Sequence, residues 1–188
     1  MAPNTAMTYN KLMIERIIST KTLHKGKFLD FIEDQIEIEV EPVIKSSRQY
    51  FTHPGGVCIL PIIGNQIALI KQYRTPVQKI IYEIPAGKLD SGERPFEAAK
   101  RELQEETGYS AGKWTELGFI YPCPGYSTER LYVYLAQYLD AGEQNLDHGE
   151  IVELELMTIA KVTEMIQQGH IPDAKTIAAL FLAQQYIS

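Results

Sequence analysis

Cysteine is scarce in this chain, and lysine plus arginine (18) fall short of aspartate plus glutamate (24). Each shortage excludes something. Two cysteines, Cys58 and Cys123, cannot build a disulfide framework and suit a reducing compartment. Cys58 sits in the apolar run VCILPII and reads as core, and Cys123 in PCPG reads as a loop filler. His24, His53 and His170 stand at no ligand spacing from either cysteine, so a zinc site is not expected. The net charge of −6 argues against a nucleic-acid surface, which needs clustered Lys and Arg. No stretch approaches the roughly 18 apolar residues of a membrane span. The start MAPNTAMTYNKLMIER lacks a charged segment followed by an apolar one. A soluble, cytoplasmic protein is the expectation, with no nucleic-acid or membrane partner. No solenoid or propeller repeat is visible.

What remains is globular: 45% hydrophobic and 22% charged residues over 188 positions suit one domain with an N-terminal appendage. IERIISTKTL and FLDFIEDQIEIEV alternate apolar and polar residues and predict strands. GVCILPI and QIALIKQY flank Gly64-Asn65, a pair suited to a tight hairpin. Further strands are predicted around IIYEI, WTELGFIY, LYVYLAQY and IVELELM. Three helices are predicted. One begins at Pro95, a good first-turn residue, and stops at Gly108, a good C-terminal cap. One covers IAKVTEMIQQ up to Gly169, and one follows the N-cap candidate Asp173 through TIAALFLAQQYI. Strands that do not alternate strictly with helices indicate an α+β fold. Residues 1–48 form an N-terminal strand region placed to pack on a partner chain, and residues 49–188 form the main domain.

The first helix is peculiar. RELQEETG places Glu102, Glu105 and Glu106 within five residues. On a helix Phe96, Ala99 and Leu103 share the core-facing stripe, and the three glutamates cluster beside it at spacings of three and four. Like charges so placed cost roughly 0.2–0.5 kcal/mol per pair. They also occupy the helix's C-terminal half, where its dipole disfavours anions. A divalent cation would reverse that balance, because Mg²⁺ prefers carboxylate oxygens together with water and phosphate.

The wider pattern in GKLDSGERPFEAAKRELQEETGY is Gly87, five residues, Glu93, seven residues, Arg101-Glu102-Leu103, one residue, Glu105-Glu106, one residue, Gly108, Tyr109. In this the chain resembles the Nudix hydrolase family, matching its defining box at every fixed position. The resemblance implies a mixed β-sheet sandwiched between helices, preceded by an N-terminal antiparallel β region. It implies that Glu102, Glu105 and Glu106, often joined by the carbonyl of Ala86, hold Mg²⁺, with Mn²⁺ as a possible substitute. It further implies that Glu93 and Arg101 form the internal ion pair orienting loop against helix.

Nudix enzymes hydrolyse a nucleoside diphosphate linked to another moiety. IYEIPAGKLD, together with Pro124 sixteen residues after Gly108, resembles the ADP-ribose pyrophosphatase branch. That branch implies a phosphate- or ribose-reaching role for Arg74, a substrate or dimer-interface role for Glu83, and a homodimer. It also places a general base on a late loop, where NLDHGEIVELEL offers Glu150 and Glu153. Glu150 matches the pattern, whereas Glu153 reads as an outward strand residue and His148 as a solvated loop residue. The catalytic set that the resemblance implies is Glu150 with Glu105 and Glu106. Two rivals stand beside ADP-ribose: GDP-mannose or another nucleotide sugar as substrate, and a non-catalytic nucleotide-binding sensor.

Overall fold

The computed structural model describes residues 14–187, so the first 13 residues of the expected 1–48 region lie outside the described part. The chain separates into two compact units. One runs through His53 and includes Gly125–Thr128; the other comprises Pro54–Pro124 with the chain from Glu129 onward. The break falls at His53, beyond the 48/49 boundary expected, because the third strand continues to Phe51.

The first unit is an antiparallel meander of β1 (Glu15–Lys25), β2 (Asp30–Ile38) and β3 (Ile44–Phe51). Alternation on β2 buries Ile32, Asp34 and Ile36. Asp34 is tolerated there because Thr20 Oγ1 (2.6 Å) and the Tyr50 hydroxyl (2.9 Å) both donate to it. β1 is exposed along its whole length. Gly125–Thr128 belongs to this unit through hydrogen bonds from Phe51 N–H to Tyr126 O and from Thr128 N–H to Phe51 O.

The second unit is built on a seven-stranded sheet of order β10-β5-β4-β9-β8, with β6 on β5 and β7 on β4. The ranges are β4 (Gly56–Ile63), β5 (Gln66–Arg74), β6 (Lys79–Glu83), β7 (Ala86–Lys88), β8 (Tyr109–Ile120), β9 (Leu131–Ala141) and β10 (Val152–Thr158). Only the β4–β9 pair is parallel, so the sheet is mixed. β4 is buried on both faces, which explains its unbroken apolar run. Its odd residues Val57 and Ile59 meet Ala98, Ala99 and Leu103 of α1 (Pro95–Thr107). Its even residues Cys58, Leu60 and Ile62 share the other core with Val162 of α2 (Ile159–Gln167) and with Ala179 and Ala183 of α3 (Ala174–Ala183). The sheet is thus sandwiched between helices. Thr158 and Asp173 cap α2 and α3 with side-chain oxygens, and α3 tightens into a 3-10 turn at Gln184–Tyr186. No described helix is long and apolar enough to cross a membrane.

One feature of this sheet positions the site. β4 and β5 pair only beside the Gly64-Asn65 turn, at Ile62↔Ile67 and Ile63↔Gln66. Farther from the turn β4 pairs with β7 and β5 with β6. The β6–β7 segment, Glu83 to Lys88, therefore enters the gap between the two diverging strands. Ile59 N–H closes on Pro85 O at 2.9 Å, and the segment presents Ala86 and Gly87 to the acidic side of α1.

Candidate active site

Pro95 starts α1, and Gly108, at φ +75°, ends it in the left-handed conformation that glycine adopts readily. Between them the helix buries Ala98, Ala99 and Leu103, and this fixes the rotation that carries Glu102, Glu105 and Glu106 to the β7 side. A cleft of about 190 Å³ opens there, lined by Ala86, Gly87, Lys88, Asp90, Arg101, Glu102, Glu105, Asp147 and Glu150. Glu106 lies behind it, only 3% exposed, with Oε2 accepting the Ala86 N–H at 2.8 Å.

Arg101 organises the carboxylates. Its Nε and Nη2 fork onto Glu93 at 3.0 and 2.9 Å. Its Nη1 donates to Glu102 (2.7 Å) and Glu105 (3.0 Å). A further contact, Nη2 to Lys88 O at 3.2 Å, ties the helix to the preceding loop. The Arg101 hydrogen bonds hold the Glu93 carboxyl below its ordinary range. Glu102 and Glu106 behave oppositely. Burial pushes Glu102 up to about 7 against the pull of Arg101, with Glu105 and Glu150 adding repulsion. Burial pushes Glu106 up to about 8 despite the Ala86 N–H, and Glu102, Glu150 and Glu83 add to the effect. Crowded, desolvated carboxylates of this kind have an unmet demand for positive charge.

Among the described residues no three acidic, imidazole or thiol side chains are already closed into a cage. The donor set fits a hard divalent cation nonetheless, since Mg²⁺ keeps waters and binds through one or two carboxylates plus phosphate oxygens. The cradle fits as well. A Cβ on Gly87 would lie 1.8 Å from Glu102 Oε1, so only glycine leaves that carboxylate its place.

Behind Glu106 a second charged network spans the sheet. Glu83 has no exposed surface. Arg74 forks onto it at 2.7 and 2.8 Å, and Lys175 donates to the same carboxylate. Burial alone would raise Glu83, but Arg74 and Lys175 outweigh it and hold the group below its ordinary value. Lys175 also reaches Asp173 at 2.9 Å, and Thr176 Oγ1 accepts Ile84 N–H at 2.9 Å. The start of α3 thus secures the segment leading into Ala86 and Gly87.

The structure gathers Ala86, Glu102, Glu105 and Glu150 around one cleft with Arg101 at its wall and Glu93 bonded to Arg101, and it pairs Arg74 with Glu83. Glu153 is on β10 and bonds to Lys71 at 3.2 Å, with its side chain 72% exposed. His148 is an exposed loop residue. Lys88, Asp90 and Asp147 in the cleft, and Lys175 behind it, hold none of the fixed positions of the motif that marks the site in sequence. Asp147, three residues before Glu150, carried the best available signal.

The family model of the NUDIX domain matches residues 52–180. The chain belongs to the Nudix family. Among similar proteins, an ADP-ribose pyrophosphatase of Bacillus subtilis (strain 168) is 37% identical over 174 residues, covering 90% of this chain and 92% of that protein. A methanol dehydrogenase activator of Bacillus methanolicus is 36% identical over 173 residues, with 90% and 92% coverage. A crystal structure of an ADP compounds hydrolase superposes with a TM-score of 0.81 over 95% of this chain and 97% of that one, at 23% identity. The mixed, helix-sandwiched sheet is therefore a Nudix fold, and the protein is a Nudix hydrolase.

Proposed function

We propose that this Nudix hydrolase cleaves the diphosphate of ADP-ribose with water, giving AMP and ribose 5-phosphate. The observation that carries this reading is the convergence of Glu102, Glu105 and Glu150 on the cleft in front of Glu106. The similarity to an ADP-ribose pyrophosphatase over nine-tenths of the chain supports the choice of substrate.

Glu102, Glu105 and Glu106, with the Ala86 carbonyl, would hold Mg²⁺ (or Mn²⁺). A cation held there would supply charge to offset the phosphates and to lower the pKa of a water. The remaining work falls to the chain itself. Arg101, fixed by Glu93, sets where the carboxylates stand. Gly87 leaves room for the Glu102 side chain. Glu150, exposed on the β9–β10 connection, accepts the proton of the attacking water when within hydrogen-bond or one-water reach. Arg74, oriented by Glu83, supplies a guanidinium for phosphate or terminal ribose.

The protein acts as a homodimer joined through its N-terminal strands. The exposed Ile17, Ile18 and Ile44 of β1 and β3 support this. Light scattering on the parent and on Ile17→Glu/Ile18→Glu tests it: a dimer is expected to become a monomer, and a monomeric parent would end the idea. For the reaction, purified protein with Mg²⁺ is offered ADP-ribose and GDP-mannose in parallel, with an EDTA control. AMP forming fastest, and only with metal, is the expected result. GMP dominating would move the substrate to other nucleotide sugars. Silence on both would favour the nucleotide-binding sensor, a reading that the similarity to a dehydrogenase activator keeps in view.

A further inference from the structure

The last carbonyls of an α-helix have no partner within it. In α1, Gln104 O accepts the Gly108 N–H at 2.8 Å, and Leu103 O accepts the Thr107 hydroxyl. The next two are satisfied from outside the helix. Asn145 N–H donates to Glu105 O at 3.1 Å, and Gln144 Nε2 donates to Glu106 O at 2.5 Å. The carbonyls of two α1 glutamates are thus capped by the connection that carries Glu150.

The backbones also meet closely. A Cβ on Gly142 would lie 2.9 Å from Gly108 O, and one on Gly108 would lie 2.8 Å from Gly142 O. The start of the β9–β10 connection is therefore docked on the helix end by two glycines and two hydrogen bonds. From there the chain reaches a turn closed by Glu150 N–H on Asp147 O at 3.0 Å, which returns both acids to the cleft. Of these anchors only Gln144 acts through its side chain.

We propose that Gln144 is a positioning residue: its hydrogen bond to Glu106 O holds the connection so that Glu150 stands over the α1 carboxylates. The inference rests on Glu150 being the base, and the test separates the two. Gln144→Met removes the donor at similar length, while Gln144→Arg restores a donor to a helix-end carbonyl. The steady-state rate on ADP-ribose with Mg²⁺ is measured for each variant, alone and combined with Glu150→Gln. Because misplacing a reacting group by about 1 Å can cost on the order of 10²-fold, losing one anchor is expected to lower kcat about 10-fold. KM is expected to stay nearly unchanged, and Gln144→Arg to recover most of the rate.

Glu150→Gln is expected to lower kcat by about 10²–10⁴-fold, with Gln144→Met adding no further loss in that background. If the Gln144→Met loss persists in full there, Gln144 acts on the helix and not through Glu150, and the inference fails alone. Parent-like turnover in Gln144→Met also overturns it. Parent-like turnover in Glu150→Gln overturns the base assignment and this inference with it.

Discussion

Replacing Gly87 by alanine separates folding from function. Gly87 lies in β7 opposite Val57, and its φ is not left-handed, so alanine meets no backbone strain. The obstacle is Glu102, whose Oε1 would be 1.8 Å from the new Cβ. A glutamate head is flexible and moves away. In place it is held at about 7 against an ordinary 4.5, with the Arg101 attraction already included. At about 1.4 kcal/mol per pH unit, the ionised carboxylate therefore opposes folding by up to roughly 3 kcal/mol at pH 8. Moving it to solvent relieves much of that, and alanine adds ~0.4–1 kcal/mol by restricting the unfolded chain. Urea unfolding of metal-free Gly87→Ala at pH 8 is thus expected to show unchanged or higher stability. The gain should shrink at pH 5, where the folded-state carboxyl is protonated. Metal-dependent turnover is expected to collapse in the same protein. A destabilisation of ~2 kcal/mol, the size of core damage, would contradict this role for Gly87, and so would parent-like turnover.

Two other outcomes follow from the buried charges. Lys175→Met leaves the Glu83 carboxylate, with no exposed surface, to Arg74 alone. Breaking a buried pair of this kind costs about 3 kcal/mol, read as a drop in the urea midpoint, with part recovered by adding Glu83→Gln. Metal-free stability should also vary with pH in two directions. Glu83 is depressed, so its contribution is present above its unfolded value near 4.5 and is lost as pH falls through the folded value. Glu102 and Glu106 are raised to about 7 and about 8, so stability is lost as pH climbs from 4.5 through those values. Thermal melting in EDTA is expected to be highest near pH 5 and lower at pH 8, and Mg²⁺ should restore more at pH 8; a flat profile would contradict this.

The parts of the molecule legible in sequence are those set by local chemistry. Pro95 and Gly108 mark the ends of α1, Asp173 caps α3, and Gly64-Asn65 turns β4 into β5. β3 is not legible because IKSSRQYF has no clean alternation, and six of its eight residues are exposed, so no buried face imposes a period of two. β7 is three residues long and exists only because β4 and β5 diverge. The acidic helix announced itself through repulsion between near neighbours. Its supporting contacts did not: Lys175 meets Glu83 across 92 positions, and Gln144 meets Glu106 across 38. Such pairings follow from topology, which spacing along the chain does not record. Helix α3 shows a smaller effect, its last turn tightening at Gln184–Tyr186 where the apolar stripe runs out.

The α1 glutamates are gathered against their mutual repulsion and desolvation, an arrangement that we propose serves a divalent cation. Isothermal titration of Mg²⁺ into the parent and into Glu106→Gln tests this most directly, with urea unfolding of both proteins alongside. Saturable binding to the parent is expected, with at least about tenfold weaker binding to the variant and equal or greater metal-free stability of the variant at pH 8. Equal Mg²⁺ affinity in the two proteins would contradict it.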